Sequence, residues 1–367
     1  MRIGVPTEIK NNEYRVGVTP SAAREYVENG HEVLVQSGAG LGIGETDEAY
    51  EKVGASILGT AKEVFAAADM IVKVKEPQLN ECAMLRADQI LFTYLHLAAD
   101  KPQAEALMQS GCSAIAYETV TANGGGLPLL APMSEVAGRL SIQAAATGLS
   151  RISGGRGLLI GGVPGVPPVR IVVIGGGVVG THAAKMAIGL GAEVTILDRS
   201  LDRLRELDDL FGGRVRTCYS TADTIEREIG HADAVIGAVL LPGASAPKLV
   251  SREMLKLMPE RAVLVDVAID QGGCFETSKA TTHEEPTYVV DGIIHYCVAN
   301  MPGAVPRTSA HALNNATLPF GLRIANQGLA ALSRDPHLLA GLNVQAGNIT
   351  NEAVALSLNL PFVAASL

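Results

Sequence analysis

Three observations in the sequence predict an α/β protein made of two doubly wound domains. Short β-branched runs alternate with helical stretches almost throughout, the pattern of parallel sheets covered by helices on both faces. The 367 residues exceed what one ordinary core organises, and suit two domains of ~150 residues or more. A Gly/Pro-rich stretch from Gly154 to Pro168 separates one alternating series from a second.

Composition narrows the classes. Hydrophobic residues make up 47% and charged residues 18%, so a large core can be buried and extensive disorder is excluded. The formal charge of -9, with no dense Lys/Arg cluster to offset it, argues against a nucleic-acid partner. The five cysteines (Cys82, Cys112, Cys218, Cys274, Cys297) are scattered and never spaced as CxxC. They fit reduced, mostly buried thiols of a cytoplasmic protein better than a disulfide frame or a zinc site, and no metal is expected. The opening Met1–Lys10 alternates into a strand and lacks a signal peptide's apolar stretch. The most apolar region, Leu158 to Gly180, is broken by Pro164, Pro167, Pro168 and Arg170. A bilayer span needs ~20 largely uninterrupted apolar residues, so no membrane partner is expected.

In the first series, strands are predicted near Arg2–Val5, Glu32–Gln36, Met70–Val74, Gln89–Leu95 and Ala114–Tyr117. Between the first two lies a helix that Thr19 can cap, with Pro20 at its first position and Gly30 ending it. Thr60 and Glu63 form a capping-box pattern that opens another helix. A helix rich in small residues runs from Met133 to about Ser150. The second series predicts strands near Arg170–Ile174, Glu193–Leu197, Arg214–Thr217, Ala234–Ile236 and Ala262–Val267. After Pro302 and Pro306 a long helical pattern, Ser309 to Leu332, leads to a mixed tail. That helix is expected to return to the first domain, which makes the first domain discontinuous: residues 1–128 with 306–367, against 129–305 for the second.

The second domain carries a dinucleotide fingerprint. The buried-strand pattern Arg170–Ile174 runs directly into Gly175-Gly-Gly177-Val178-Val-Gly180, a helix Thr181–Leu190 follows, and the next strand ends at Asp198. Gly175 permits the tight turn, Gly177 lets a pyrophosphate approach bare backbone, and Gly180 lets helix and strand pack closely. The helix N-terminus offers unpaired N–H groups to phosphate. Asp198 stands near the expected spacing of about 20 residues, where a carboxylate accepts ribose hydroxyls and repels a 2′-phosphate. NAD is therefore the expected cofactor, although Arg199 beside it tempers the choice over NADP. A plain structural turn would explain the glycines but not Asp198. A second glycine run, Gly38 to Gly44, also follows a strand but leads into the acidic Glu45–Glu48, so it is read as a decoy. The expected architecture is thus two doubly wound Rossmann-like domains, the first discontinuous, with an interdomain active-site cleft.

In the first domain, polar residues gather where strands end, the place open α/β sheets bind ligands. Lys73 and Lys75 share one face of an apolar strand; a solvated edge explains them as well as a grip on a carbonyl or carboxylate does. His96 ends the run Gln89–Leu95, either as a satisfied half-buried side chain or as a proton carrier at a reacting carbonyl or imine. Arg15 lies in a polar loop, either in a surface ion pair or as a bidentate clamp on a carboxylate. In the second domain Asp266 lies within an apolar strand, where an acid needs a partner, whereas Asp270 just past it is better placed to face an opening. The remaining histidines show no ligand spacing.

Taken together these residues resemble the alanine dehydrogenase family, and the likeness covers essentially the whole chain. The matching stretches are Gly4–Val16, Val74–Pro77, Leu95–Ala98, Leu130–Gly138, Pro164–Val166, Asp270–Cys274 and Val298–Pro302, in shared order. The resemblance implies reversible NAD-dependent oxidative deamination of L-alanine to pyruvate and ammonium. It implies that Arg15 and Lys75 hold the substrate, and that His96 and Asp270 handle protons as hydride leaves Cα and the imine is hydrated. It further implies that Ser134, Ser220, Val239, Leu240, Val267 and the segment Val298, Asn300 and Met301 line the cofactor. Arg203 would meet its adenosine or pyrophosphate side. Lys279 stands where relatives often carry arginine, which leaves a planar bidentate contact there in doubt. Members usually assemble as homohexamers. Other readings share part of the pattern: a non-catalytic NAD(H)-binding subunit like that of proton-translocating transhydrogenase, a saccharopine-type dehydrogenase, or a plain NAD-binding regulator.

Overall fold

A computed structural model describes residues 1–239 and 246–366. The first six strands are β1 (Arg2–Val5), β2 (Glu32–Gln36), β3 (Ser56–Leu58), β4 (Met70–Val72), β5 (Ile90–Thr93) and β6 (Ser113–Ala116). Then come β7 (Arg170–Ile174), β8 (Glu193–Asp198), β9 (Arg216–Tyr219), β10 (Ala234–Gly237), β11 (Val263–Asp266), β12 (Thr287–Val290) and β13 (Ile293–Tyr296). The chain closes with β14 (Leu342–Gln345) and β15 (Asn348–Ile349). Every predicted strand is present; β1, β2 and β7 keep their predicted ends, and the others shift by one to a few residues.

The chain forms two compact units, Met1–Met133 with Val305–Leu367, and Ser134–Ala304. The first division falls inside the helix Ala131–Leu149 rather than ahead of it.

The first unit is an eight-stranded sheet in the order β15-β14-β6-β5-β4-β1-β2-β3. Its strands are parallel except that β14 runs antiparallel to β6 and to β15. Strands β4, β5 and β6 are buried along their whole length, as strands covered on both faces must be. Each fully buried valine, leucine or isoleucine there contributes about 1.5–3 kcal/mol. The winding reverses between β1 and β4, so the loops after β1, β4 and β5 leave the sheet beside a switch point. The first helix, Pro20–Glu28, is capped by Thr19, whose hydroxyl accepts the amide of Ala22. Thr60 and Glu63 make both bonds of the capping box. The return helix is Pro306–Gln327. Its Asn314 Oδ1 accepts the Thr19 amide at 2.8 Å, and a Cβ on its Gly321 would strike the Tyr26 hydroxyl. The helix stops at Gly328, short of the expected Leu332, because that glycine takes φ +60°.

The second unit is a seven-stranded sheet in the order β12-β13-β11-β10-β7-β8-β9, parallel apart from β12. Here the winding reverses between β7 and β10, which puts the end of β7 at its switch point. The small residues of the helix Ala131–Leu149 have a packing reason. A Cβ on Gly138 would lie 2.3 Å from the Val179 carbonyl.

Five strands escaped the sequence pattern. β3 is three residues at a sheet edge, too short for periodicity. β12 and β13 join through Asp291-Gly292, both at positive φ, and β14 and β15 through Ala346-Gly347, also both positive. These are tight two-residue hairpins, and Asp-Gly between Thr287–Val290 and Ile293–Tyr296 is a hairpin signal legible in the sequence.

Candidate active site

In the first unit, the loop after β1 buries a charge pair. Arg15 is buried, and its Nε and Nη2 reach the two Glu13 carboxylate oxygens at 2.6 and 2.5 Å. Its Nη1 lies 2.9 Å from Met133 Sδ. Burial works against the Arg15 charge, but Glu13 more than offsets it and raises the pKa. The surface ion pair is therefore excluded; the partner exists, but inside the protein. A cavity of about 370 Å³ opens between the segment Thr7–Arg15 and the turn Gly38–Gly42, with Arg15 in its lining. In that turn the Asp47 carboxylate accepts the Gly38 amide at 2.8 Å and the Ser37 hydroxyl at 2.6 Å. The glycine run read as a decoy thus has its own acid on its first amide.

The two lysines part company, because β4 ends at Val72 and they do not share a strand face. Lys73 is fully buried between Glu81 at 2.8 Å and Glu8 at 3.1 Å, so a solvated edge is wrong for it. Burial pushes the Glu8 carboxyl up against the pull of Lys73. Lys75 is half-buried; its backbone amide points at Glu8 and its charge lowers the pKa of the neighbouring Glu76.

His96 follows β5 in the left-handed region, φ 51° and ψ 33°. Its side chain is 45% exposed, with Nδ1 3.5 Å from Glu76 Oε2, so the imidazole is open to solvent rather than half-buried in packing. The ring stacks on Tyr94 at 5.7 Å between centroids. Its backbone amide donates to Glu118 Oε1 at 2.6 Å, and the Leu95 amide reaches the same carboxylate at 3.2 Å. Tyr94 is anchored through its hydroxyl, which donates to the Leu129 carbonyl at 2.6 Å. Burial opposes the charge on Glu76, but His96, Lys75 and Lys10 override it and hold the carboxyl well below the usual range. Glu76, Glu118 and Tyr94 were missed in the sequence. Glu76 stands inside the stretch Val74–Pro77, but nothing marks Glu118, which comes from a separate strand end.

In the second unit, Gly175 takes φ +104°, and a Cβ on it would lie 2.6 Å from the Ala238 carbonyl. A Cβ on Gly180 would lie 1.8 Å from the Gly175 carbonyl, whereas one on Gly177 would meet nothing within 4 Å. The three glycines thus divide as the fingerprint requires: turn, open approach, close packing. Gly177 caps the helix Val178–Gly189, which begins three residues earlier than predicted and leaves Val178 42% exposed. Asp198 closes β8; its carboxylate accepts the Gly176 amide at 2.7 Å and the Ser200 amide at 2.8 Å. Arg203 braces the same turn, donating to the Gly176 carbonyl at 2.7 Å and to Thr181 Oγ1 at 2.8 Å.

Ser220 follows β9, half-buried, with its amide on the Asp198 carbonyl at 2.9 Å. Val239 and Val267 follow β10 and β11 and are half-buried, as is Ser134 at the start of the unit. Leu240 lies outside the described residues. Val298 and Met301 are buried in the unit's core. Between them Asn300 takes φ +55°, and its amide donates to Asp270 Oδ1 at 3.3 Å. Asp270 is exposed in the turn Val267–Gln271. Asp266 is fully buried and holds that turn's flank, accepting the amides of Ala268 at 3.1 Å and Cys274 at 2.9 Å with the Ser278 hydroxyl. Lys279 is exposed, and its amide donates to the Tyr288 hydroxyl at 2.7 Å. Among the described residues, no group of three or more His, Cys, Asp or Glu is set to hold a metal, and no helix is long and apolar enough to cross a membrane.

The family model "Alanine dehydrogenase/PNT, N-terminal domain" matches residues 4–137, and "Alanine dehydrogenase/PNT, C-terminal domain" matches residues 141–352. A protein of Halomonas elongata named alanine dehydrogenase is 58% identical over 367 residues, covering 100% of this chain and 99% of its own. A solved structure titled L-alanine dehydrogenase is 53% identical with a TM-score of 0.95, covering 98% of this chain and 99% of its own. A transhydrogenase structure from Sinorhizobium meliloti is 25% identical with a TM-score of 0.82, covering 96% of this chain and 100% of its own.

Proposed function

The chain belongs to the alanine dehydrogenase/PNT family, and we propose that it catalyses the reversible oxidative deamination of L-alanine to pyruvate and ammonium with NAD. The observation that carries this reading is the 58% identity, along the full length, to a protein named alanine dehydrogenase. At 25% identity the transhydrogenase resemblance is far weaker.

The residues of the second unit fit a dinucleotide. The open face of Gly177 and the N-terminus of the helix behind it would receive the pyrophosphate, and Asp198 the adenosine ribose. Its carboxylate already serves two amides, but each oxygen keeps a second lone pair for a hydroxyl. Bound NAD would supply the acceptor for the hydride that leaves the alanine Cα.

The rest of the chemistry belongs to side chains. Arg15, its plane fixed by Glu13, grips the substrate carboxylate, and Lys75 sits at the carbonyl or imine. His96 accepts a proton as the amine is oxidised, then moves protons as water adds and ammonia leaves. Asp270 shares that proton handling, held by the Asn300 amide. Ser220 and Arg203 shape the turn that cradles the dinucleotide, while Ser134, Val178, Val239, Val267 and Lys279 border it.

The reading is tested by mixing purified protein with alanine and NAD, and separately with pyruvate, ammonium and NADH. Alanine should generate NADH, and the second mixture should consume it. Dinucleotide binding with no turnover in either mixture would return the chain to a transhydrogenase-like carrier. Turnover of a larger amino-acid adduct in place of alanine would favour the saccharopine-type enzyme.

A further inference from the structure

The surroundings of His96 contain a carboxylate with an incomplete set of partners. Glu76 is buried, and its Oε1 is taken by Lys10, but Oε2 has no hydrogen-bond donor among the described residues. A buried acceptor left without a donor is destabilising, because it has lost its water and gained nothing in return. The group aimed at it is the imidazole, with Nδ1 at 3.5 Å, just beyond hydrogen-bond reach. A small ring rotation closes that gap, and catalytic hydrogen bonds are often long before substrate arrives.

The backbone is held ready for it. A non-glycine residue in the left-handed region is strained, because its Cβ crowds the following carbonyl oxygen. At His96 the Glu118 carboxylate offsets this by taking the amides of both Leu95 and His96. Tyr94 lies against the ring and is itself pinned to Leu129, so the imidazole has one flank fixed. The ring is thus supported from beneath and from the side while standing open to solvent.

We propose that Glu76 is a positioning residue that takes the Nδ1–H of His96, fixing the tautomer in which Nε2 accepts the substrate proton and steadying the imidazolium once formed. This rests on the reading of His96 as the proton carrier. The charged groups facing this pair are Lys10 and Lys75 beside Glu76, Glu8 behind Lys75, and Glu118 beneath His96. The cations keep Glu76 ionised while the imidazole gains and loses its proton.

The test compares Glu76→Gln, Glu76→Asp and His96→Ala with the parent enzyme, after NADH titration establishes that each still binds dinucleotide. The readouts are the single-turnover rate of NADH formation at saturating alanine, followed against pH, and the ring ¹⁵N signals of His96. Glu76→Gln should slow the step about tenfold or more, part of the ~10²–10⁴ that acid–base help supplies. It should also move the acidic limb of the profile to lower pH, because removing an anion disfavours the protonated ring. Glu76→Asp, which keeps the charge, should leave the limb in place. A folded Glu76→Gln enzyme with a rate within about twofold of the parent and an unmoved limb would overturn the proposal while leaving His96 its role. An active His96→Ala enzyme would remove the role itself. If Glu76→Gln does not fold, the parent ¹⁵N spectrum decides: neutral His96 protonated on Nδ1 supports the proposal, and on Nε2 overturns it.

Discussion

The two polar regions of this chain are built from different material. In the second unit the turn Gly175–Gly180 works through backbone: an open face at Gly177, a tight approach at Gly180 and a helix N-terminus, with one carboxylate at the end of the next strand. In the first unit almost everything is side chain, supplied by loops after three strands and cross-braced by buried and half-buried acids. A backbone site depends on where side chains are missing, and a run of glycines announces that. A side-chain site depends on partners from distant segments, and nothing local announces those.

The sharpest separation of the two regions comes from His96→Ala. If His96 of the first unit carries the proton while the second unit holds the dinucleotide, this change should cut alanine-dependent NADH formation by about 10²–10⁴. NADH affinity, measured by fluorescence titration, should stay where it was. Equal loss of both would dissolve the distinction.

Next in size is a test of the bracing rather than the chemistry. Lys73 is fully buried, and it neutralises Glu8 and Glu81 at a position with no access to water. Removing one partner of such a buried set destabilises by about 3–5 kcal/mol. Lys73→Ala should therefore lower the thermal midpoint far more than any surface lysine change. Lys62→Ala, on an exposed helical position, is the reference expected to stay within about 0.5 kcal/mol. A Lys73→Ala protein as stable as that reference would mean that the buried acids find other partners.

The glycines of the second unit can be set against one another. At Gly180 a methyl group would lie 1.8 Å from the Gly175 carbonyl, so Gly180→Ala should destabilise by about 1–3 kcal/mol or more. At Gly177 the same methyl group meets open space, so Gly177→Ala should leave the thermal midpoint nearly unchanged while weakening NADH binding. A Gly177→Ala protein that binds NADH as before would show that the open face is not where the pyrophosphate lies.

These contrasts explain what could be read from the sequence. The sheets were legible because buried parallel strands are long apolar runs, as in Arg170–Ile174 and Gln89–Leu95. The hairpin Thr287–Tyr296 is less legible, because its strands are four residues each and pair antiparallel outside the crossover pattern, with only the Asp291-Gly292 turn to mark it. The glycine turn and Asp198 followed from spacing alone. Arg15, Lys75 and His96 were singled out by strand ends and resemblance, but their surroundings were not. For Arg15 the sequence leaves a surface ion pair or a carboxylate clamp, and for Lys73 a solvated edge or a grip on a carbonyl; neither shows Glu13, Glu8 and Glu81 closing on them out of solvent. Glu118 was invisible, since it acts by holding the backbone of Leu95 and His96, more than twenty positions away.

The smallest expected effect tests where the backbone site ends and side-chain selection begins. Asp198 has two structural duties, the Gly176 and Ser200 amides, besides any contact with ribose. Asp198→Asn keeps the shape and one acceptor oxygen but loses the charge that repels a 2′-phosphate. A hydrogen bond to a charged group is worth about 1.5–3 kcal/mol, and part of it survives with a neutral amide. NAD should therefore bind roughly fivefold to tenfold more weakly. NADP should gain in relative kcat/KM, because Arg199 stands next in line to meet the extra phosphate. If both cofactors weaken equally, Asp198 serves only to hold the turn, and discrimination lies in the backbone after all.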